Sequence, residues 1–388
     1  MGRTTNRGIG AAGSALCAVL ALAAAVVPSP AAAATGNRAA SSMARASTRH
    51  AAPARRPSPV TGRPRAASGR PRAATTTTSN PAPATPAPTP PVQPRPANGT
   101  ARLYLRDLYW VQRSPVTIPG RAVKVAGVVW PYVPHQSVTV KAYLAGRLFK
   151  TLQRRLIRSR NGTFGYFSVF VTSPDVGEVT VRVLHRADST MSWFSVSKHF
   201  AALDERIGFG STGRFVQLVQ QRLAALHFFL RQSGVYDGGM GQAIDAYHRL
   251  LGWGTSQTLD ARTAAALLNG QGDFRIRYPR QGRHAEGWIN KQLLALADGS
   301  KVQYIFPISS GKPSTPTILG SFHVYVQTPG YLPDGMYYSS FFIGGYAIHG
   351  YDPAPDWPAS HGCMRTQISV ARFIYHWLTV GDAVDTYL

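Results

Sequence analysis

The first hundred residues restrict where this chain can fold. They contain 12 arginines but no lysine, aspartate or glutamate, and they hold more than half of the prolines. From residue 35 onward they run through Ala, Pro, Thr, Ser and Arg, a composition that buries too little apolar surface to offset the entropy lost on ordering. We therefore expect residues 35–100 to be a disordered linker and the folded domains to lie in residues 101–388.

The N-terminus has the pattern of an export signal. Arg3 and Arg7 precede an apolar run over residues 11–27, and small residues at 30–34 offer cleavage sites, which is the order found in signal peptides. A retained membrane anchor is the alternative, although the run is shorter than the roughly 20 residues that span a bilayer. We predict a signal peptide over residues 1–34 and an extracytoplasmic protein, secreted or associated with the cell wall or membrane.

The chain is strongly basic, with a formal net charge of +25. Twelve of its 42 basic residues lie in the first hundred residues, so residues 101–388 hold 30 basic and 17 acidic residues. A basic surface attracts polyanions by long-range electrostatics, and nucleic acid is one such class. For an exported chain we expect anionic wall polymers or lipid head groups as partners and no nucleic acid, and we leave the oligomeric state open.

Residues 101–202 alternate with the two-residue period of β-strands. The alternation is clear over 123–125, 138–140, 166–170 and 179–183, and turn residues separate these segments. Short strands at such regular spacing are typical of an antiparallel sandwich. We predict an immunoglobulin-like (Ig-like) β-sandwich that carries no catalytic residues.

Residues 203–272 change to a helical period. Apolar residues recur at helical spacing over 215–226, a second helix is indicated near 243–247, and Asp260 is a candidate N-cap for a third. The pattern predicts a small three-helix bundle. Over residues 208–268 it resembles a peptidoglycan-binding domain of the three-helix type, which implies binding to peptidoglycan glycan. A spacer bundle that retains only the fold is the alternative.

Residues 273–388 return to strand patterns. The turn residues Asp298-Gly299-Ser300 separate apolar runs at 288–297 and 302–308, which predicts a hairpin. Further elements are expected in chain order: a strand over 321–327, an apolar strand over 341–348 that leads into His349, a helix over 369–378 and a closing strand over 383–388.

Cys363 is the residue that points most directly to chemistry. Removal of the signal peptide would remove Cys17 and leave Cys363 as the only cysteine, and an unpaired thiol in an exported protein is either intermolecular or reactive. A thiol of ordinary pKa is mostly protonated at neutral pH. An imidazole within hydrogen-bond reach can form an ion pair with it and lower its pKa. A buried structural cysteine is the alternative.

Two histidines are candidates for that base. His361 lies two residues from Cys363 and would face it only in an extended segment, whereas His349 ends a strand and can approach from a neighbouring element. Gly350 and Gly362 permit close backbone approach, and the amides around Gly362 and Cys363 are candidates for an oxyanion hole. The histidine precedes the cysteine, which excludes the order of papain-like peptidases. No cluster has zinc-like ligand spacing, so we expect no metal.

Two segments near the C-terminus carry a family resemblance. Ala347-Ile348-His349-Gly350 and Ser360-His361-Gly362-Cys363-Met364-Arg365 together resemble the signature of the L,D-transpeptidase (YkuD-like) catalytic domain. Residues 311–322 and 335–338 are similar to further segments of that family. The resemblance implies a mostly-β catalytic domain at residues 273–388, a cysteine acyl-enzyme, no cofactor and acylation by carbapenem-type inhibitors.

The resemblance also implies roles for the matched positions. Cys363 would be the nucleophile, His349 the general base and the backbone carbonyl of Gly350 the group that orients it. His361 and Gly362 would shape the oxyanion region, and Ser360 would lie beside it. Arg365 would position a carboxylate or the loop. Tyr337 and Tyr338 would line the donor cleft.

The implied function is that of an exported cysteine L,D-transpeptidase acting on peptidoglycan. Its thiolate would attack the carbonyl before the terminal D-Ala of a tetrapeptide stem, release D-Ala and leave a thioester. An amine from a neighbouring stem would resolve the thioester into a 3→3 cross-link. Water as the acceptor would give an L,D-carboxypeptidase, and a domain without activity would leave a non-catalytic wall-binding or scaffold protein.

Overall fold

The computed structural model describes residues 95–388, which run through a region of strands, a region of helices and a second region of strands. The predicted signal peptide at 1–34 and nearly all of the predicted linker at 35–100 lie outside the described residues. Within 95–388, no helix is both long enough and apolar enough to cross a membrane.

The first region consists of ten strands in two sheets. The strands are β1 (Thr100–Arg106), β2 (Tyr109–Val111), β3 (Ser114–Thr117), β4 (Ala122–Trp130), β5 (Ser137–Leu144), β6 (Arg147–Arg155), β7 (Ile157–Arg158), β8 (Gly165–Thr172), β9 (Gly177–His185) and β10 (Phe194–Ala202). Their orders are β1-β4-β8-β7 and β2-β3-β10-β9-β5-β6. Inward residues of both sheets belong to one hydrophobic cluster. The Ig-like assignment of this region stays a prediction.

Strand β8 shows a limit of the alternation rule. The pattern over 166–170 selects Tyr166, Ser168 and Phe170, but these face solvent, whereas Phe167 and Val169 are buried. Both faces of β8 carry large apolar residues. The two-residue period therefore identified the strand without identifying its inner face.

The second region consists of three helices: α1 (Arg214–Ala225), α2 (Gly238–Leu251) and α3 (Ala261–Leu268). Asp260 caps α3 as predicted, because its carboxylate accepts a 2.7 Å hydrogen bond from the Thr263 N–H. Asp237 caps α2 in the same way by accepting from the Met240 N–H at 2.9 Å. The cap places the start of α2 well before the apolar stretch at 243–247. The peptidoglycan-binding-like assignment of this region stays a prediction.

The third region consists of nine strands, a short 3-10 helix and one α-helix. They are β11 (Arg283–Trp288), the 3-10 helix (Ile289–Lys291), β12 (Leu293–Asp298), β13 (Lys301–Pro307), β14 (Gly320–His323), β15 (Val326–Tyr331), β16 (Tyr337–Ile343), β17 (Tyr346–Gly350), β18 (Met364–Thr366), α4 (Ile368–Trp377) and β19 (Ala383–Tyr387). The sheet orders are β13-β12-β11-β19-β14 and β15-β16-β17-β18. The region is therefore mostly β, with α4 and the closing strand close to their predicted positions.

Two predicted strands of this region are each divided in two. The expected strand over 321–327 breaks after His323, because β14 pairs with β19 whereas β15 pairs with β16. The apolar stretch over 341–348 folds back on itself as β16 and β17, with Gly344 in the turn at a φ of 50°. Glycine adopts this left-handed conformation without steric cost, whereas hydrophobicity alone does not mark a turn.

One hydrophobic cluster joins the three regions. It includes Val116 of β3, Leu223 of α1 and Ile305 of β13. The backbone adds a bridge, because the Phe229 N–H donates to the Ile305 carbonyl at 3.1 Å and the Ile305 N–H donates to the His227 carbonyl at 2.8 Å. The helical region is therefore packed directly against the sheet β13-β12-β11-β19-β14 of the third region.

Because this core is shared, we expect Ile305→Ala to destabilise residues 95–388 as one unit. Ile305 is 1% exposed, and truncating a buried Ile to Ala costs roughly 2–5 kcal/mol. Calorimetry should show one transition at a lower Tm. The control, Ile318→Ala, lies at a position that is 39% exposed and should stay within about 0.5 kcal/mol of wild type. A second transition with an unchanged Tm would contradict the shared core.

Candidate active site

A cavity of about 600 Å³ opens beside the paired strands β17 and β18. Half of its lining residues are ones that the sequence signature selects, and half are not. The lining residues are Asp334, Met336, Gly345, Tyr346, His349, Tyr351, Ser360, His361, Cys363 and Arg365.

Parallel pairing brings Cys363 and His349 to this cavity. Strands β17 and β18 run side by side with Ile348 opposite Met364, so Cys363 sits just before β18 and beside the middle of β17. The Ala347 N–H donates to the Cys363 Sγ at 3.4 Å, and the thiol lies 3.6 Å from the Gly345 carbonyl oxygen as a donor. The thiol is thus held against the strand that carries His349.

His349 is held in one orientation by its own backbone neighbour. Its Nδ1–H donates to the Gly350 carbonyl at 2.9 Å, which assigns the proton to Nδ1 and leaves Nε2 as an acceptor. The ring also meets the Tyr351 ring edge-on, with 5.8 Å between centroids. Burial lowers the pKa of His349 to about 4. The imidazole is therefore neutral at pH 7 and able to accept a proton.

Cys363 is also neutral in this environment. Burial raises the pKa of its thiol above the ordinary value, outweighing the Ala347 amide and the positive charge of Arg365, which act in the opposite direction. These two pKa shifts favour a neutral thiol and a neutral imidazole over an imidazolium–thiolate pair as the resting form. Desolvation disfavours charge on both groups at once, which spacing in the sequence does not reveal.

The turn before Cys363 is closed by Ser360. Its hydroxyl donates to the Cys363 carbonyl at 2.6 Å and accepts from the Gly362 N–H at 3.0 Å. Gly362 has a φ of 122°, and a Cβ there would lie 1.7 Å from a Tyr346 ring carbon. Glycine is therefore required for both conformation and space. Since its N–H is already bonded to Ser360, the amide of Gly362 is not the free oxyanion donor that the sequence suggested.

The family of this region follows from its sequence match. Residues 288–385 match the YkuD family, described as the L,D-transpeptidase catalytic domain. This part of the chain is an L,D-transpeptidase catalytic domain. Its structure begins before the matched range, because β11 starts at Arg283 and pairs with β12 and β19.

Solved structures similar to the chain include other L,D-transpeptidases. One from Xylanimonas cellulosilytica DSM 15894 is 30% identical with a TM-score of 0.44, covering 48% of this chain and 98% of that chain. One from Stackebrandtia nassauensis is 18% identical with a TM-score of 0.31, covering 47% and 95%. The catalytic domain from the E. faecium L,D-transpeptidase acylated by ertapenem is 25% identical with a TM-score of 0.24, covering 28% and 98%. No curated protein matches the chain significantly.

His361 and Arg365 occupy different parts of the transpeptidase cavity. His361 is exposed at the rim, where its Nε2 lies 3.2 Å from the Lys312 ammonium. Arg365 lies over the Tyr351 ring at 3.9 Å and donates to the Ala359 carbonyl at 3.4 Å. Within residues 95–388 its buried Nε has no hydrogen-bond acceptor. Arg365 is therefore held in the cavity wall by its stacking on Tyr351 and its bond to the Ala359 carbonyl.

Tyr337 and Tyr338 are not among the lining residues, which corrects the expectation that they line the transpeptidase cleft. Tyr337 stacks on Tyr331 with 4.4 Å between ring centroids. Tyr338 meets Tyr375 of α4 at 5.0 Å. A register shift in β16 and a φ of 49° at Tyr338 turn the ring away from the cavity, because an irregular strand does not keep simple alternation.

The lining residues that were not selected as site residues surround the signature in space. Met336 immediately precedes the two selected tyrosines, Tyr346 lies across from Gly362, and Tyr351 follows Gly350. Asp334 and Gly345 complete this set. Adjacency to the selected segments was a usable signal for Met336 and Tyr351. The contribution of Tyr346 depends on the β16–β17 hairpin, which was predicted as one strand.

The neutral resting pair leads to a prediction about pH. A depressed His pKa keeps the imidazole neutral as pH falls until about pH 4, and a raised thiol pKa shifts thiolate formation to higher pH. We expect the His349 ring resonances in NMR to titrate near pH 4. Alkylation of Cys363 by iodoacetamide should rise through the alkaline range without levelling off at neutral pH. A plateau in alkylation already reached near pH 7 would indicate the ion pair instead.

The close contact at Gly362 leads to a second prediction. Gly362→Ala should displace the cysteine turn, because its Cβ has no room beside Tyr346 and its φ is unfavourable for alanine. We expect acylation of Cys363 by ertapenem to slow by roughly 100-fold, which is the effect expected when a reacting group is misplaced by about 1 Å. Gly238→Ala is the control, since a Cβ there meets nothing within 4 Å. An acylation rate within a few-fold of wild type for Gly362→Ala would show that the turn tolerates a side chain.

Proposed function

We propose that the protein is an exported cysteine L,D-transpeptidase that forms 3→3 cross-links between peptidoglycan stems. The observation that carries the proposal is the joint position of Cys363 and His349 at one cavity, with His349 oriented by the Gly350 carbonyl. A nucleophile, a base and an orienting acceptor are the parts that acyl transfer requires.

The first step forms the acyl-enzyme. As the Sγ of Cys363 attacks the carbonyl carbon before the terminal D-Ala, the Nε2 of His349 takes the thiol proton. The carbonyl electron pair moves to oxygen, and the Cys363 N–H is the proposed donor to that oxyanion, because the Gly362 N–H is bonded to Ser360. When the carbonyl re-forms, the C–N bond breaks, and the imidazolium protonates the departing D-Ala amine.

The second step resolves the thioester. An amine of a neighbouring stem attacks the same carbonyl carbon and passes a proton to neutral His349. The C–S bond breaks, and the sulfur leaves and recovers its proton. Because its pKa is lowered to about 4, His349 is unprotonated throughout the neutral range and has a free nitrogen to accept this proton. Water in place of the amine gives the L,D-carboxypeptidase reaction, which is the alternative outcome of the same intermediate.

Positive groups at the cavity suit an anionic donor. Arg365 is one of its lining residues, and Lys312 lies beside His361, another lining residue. We assign Arg365 to a carboxylate of the donor stem, since a guanidinium binds carboxylates through paired donors.

Export through residues 1–34 and binding of wall glycan by the helical region are further parts of this proposal.

Intact mass spectrometry tests the proposal directly. The purified protein is incubated with a disaccharide-tetrapeptide muropeptide or with ertapenem, which acylates the similar E. faecium domain. We expect a covalent adduct on wild type, none on Cys363→Ala, and a rate lower by roughly 100-fold on His349→Gln, the scale of losing a general base.

The products separate the alternatives. A muropeptide dimer with release of D-Ala indicates transpeptidation, and a tripeptide monomer with release of D-Ala indicates carboxypeptidation. A folded wild-type protein that forms no adduct with either compound would overturn the enzymatic proposal and favour a wall-binding or scaffold role. Cys363→Ala serves as the folding-matched control, because it removes the thiol and little volume.

A further inference from the structure

Arg249 of helix α2 reaches out of the helical region and into the catalytic domain. It is 6% exposed, and its Nη2 lies 2.6 Å from the carboxylate of Asp245, which is 2% exposed. Its Nη1 donates to the carbonyls of Gln292 at 3.0 Å and Ile308 at 2.9 Å. A buried guanidinium requires such acceptors, and its planar fork can hold a carboxylate and backbone carbonyls at once.

The two carbonyls belong to the segments that position Ser310 through hydrogen bonds. The Ile308 N–H donates to the Gln292 carbonyl at 3.0 Å, so the two segments are already paired. The Gln292 side chain makes two hydrogen bonds to Ser310. Its Nε2 donates to the Ser310 hydroxyl at 2.6 Å, and its Oε1 accepts from the Ser310 N–H at 2.9 Å. Gln292 itself has a left-handed φ of 52°. Such a backbone is uncommon for a residue with a side chain and needs outside support.

Ser310 in turn holds the turn that carries the nucleophile. Its carbonyl accepts from the N–H groups of Ala359 and Ser360, both at 3.0 Å. The Ser360 hydroxyl closes the turn by bonding Gly362 and Cys363. A continuous set of buried hydrogen bonds therefore leads from Arg249 through Gln292, Ser310 and Ser360 to the backbone of the nucleophile.

From this connection we propose that Arg249 is a positioning residue for Cys363, so that the helical region is part of the catalytic apparatus and not only a wall-binding module or spacer. The proposal rests on the acyl-transfer function proposed above. Arg249 touches no reacting atom. It fixes the carbonyls of Gln292 and Ile308 and thereby the position of Ser310. The hydrogen bonds from Ser310 to the cysteine turn then set the distance between Cys363 and an incoming carbonyl.

The test compares two variants that weaken the helical region in different places. Asp245→Asn combined with Arg249→Met removes both buried charges together, so neither is left unpaired, and keeps an acceptor for the Ser256 N–H that Asp245 binds at 3.1 Å. Thr263→Val removes the 2.7 Å hydrogen bond between Thr263 and His248, which lies wholly within the helical region. Thr263→Val is thus the control for lost stability without loss of contact to the catalytic domain.

We expect the Asp245→Asn/Arg249→Met protein to lose roughly tenfold or more in kcat while its KM changes by less than about threefold, because the nucleophile is misplaced and the donor cleft is intact. Its Ala359 and Ser360 amides should exchange with deuterium faster than in wild type. Thr263→Val should lower Tm and leave kcat and both exchange rates near wild type. All measurements are made well below the Tm of each protein.

A double variant with wild-type kcat and wild-type exchange at Ala359 and Ser360 would overturn the proposal. Equal losses of kcat in the double variant and in Thr263→Val would also overturn it, since they indicate a general loss of stability. Hydrogen exchange does not depend on turnover. If wild type forms no acyl-enzyme, the proposed function fails, and the exchange rates still decide whether Arg249 supports the cysteine turn.

Discussion

The parallel pairing of β17 with β18 is the constraint on which the rest of the candidate active site depends. Parallel neighbours require a crossover connection of about a dozen residues or more, and residues 351–363 form it without any regular helix. The crossover starts just after His349 and Gly350 and ends at Cys363. Pairing of the two strands therefore brings Cys363 and His349 to the same cavity and closes the loop that lines it.

Burial at this junction determines the chemistry as much as proximity does. The same desolvation lowers the pKa of His349 and raises that of Cys363, so the resting pair carries no charge. Oxidation of cysteine follows thiolate character, and a protonated Cys363 is less exposed to it in the oxidising surroundings that we propose. In the proposed reaction, proton transfer is then coupled to attack on the substrate, and this coupling depends on the orientation of His349 by the Gly350 carbonyl.

Local sequence patterns predicted elements that depend on a few adjacent residues, such as the Asp260 cap of α3 and helix α4. The Gly350 acceptor of His349 was instead implied by the family resemblance. Tyr337 and Tyr338 were misassigned, because a register shift within β16 decides where their rings point. The neutral state of the resting pair could not be predicted for a related reason. Burial of Cys363 and His349 arises from segments distant in the chain, and no spacing between the two residues expresses it.

The buried pair of Asp245 and Arg249 is better explained by the hydrogen bonds that it orients than by a contribution to the free energy of unfolding. Two charges removed from water gain little net free energy from each other, and an apolar pair of similar volume would hold α2 against the sheet equally well. Only a guanidinium held by Asp245 also directs hydrogen bonds at the Gln292 and Ile308 carbonyls. We propose that the pair fixes the backbone beside Ser310, whose carbonyl accepts from the N–H groups of Ala359 and Ser360 in the turn before Cys363.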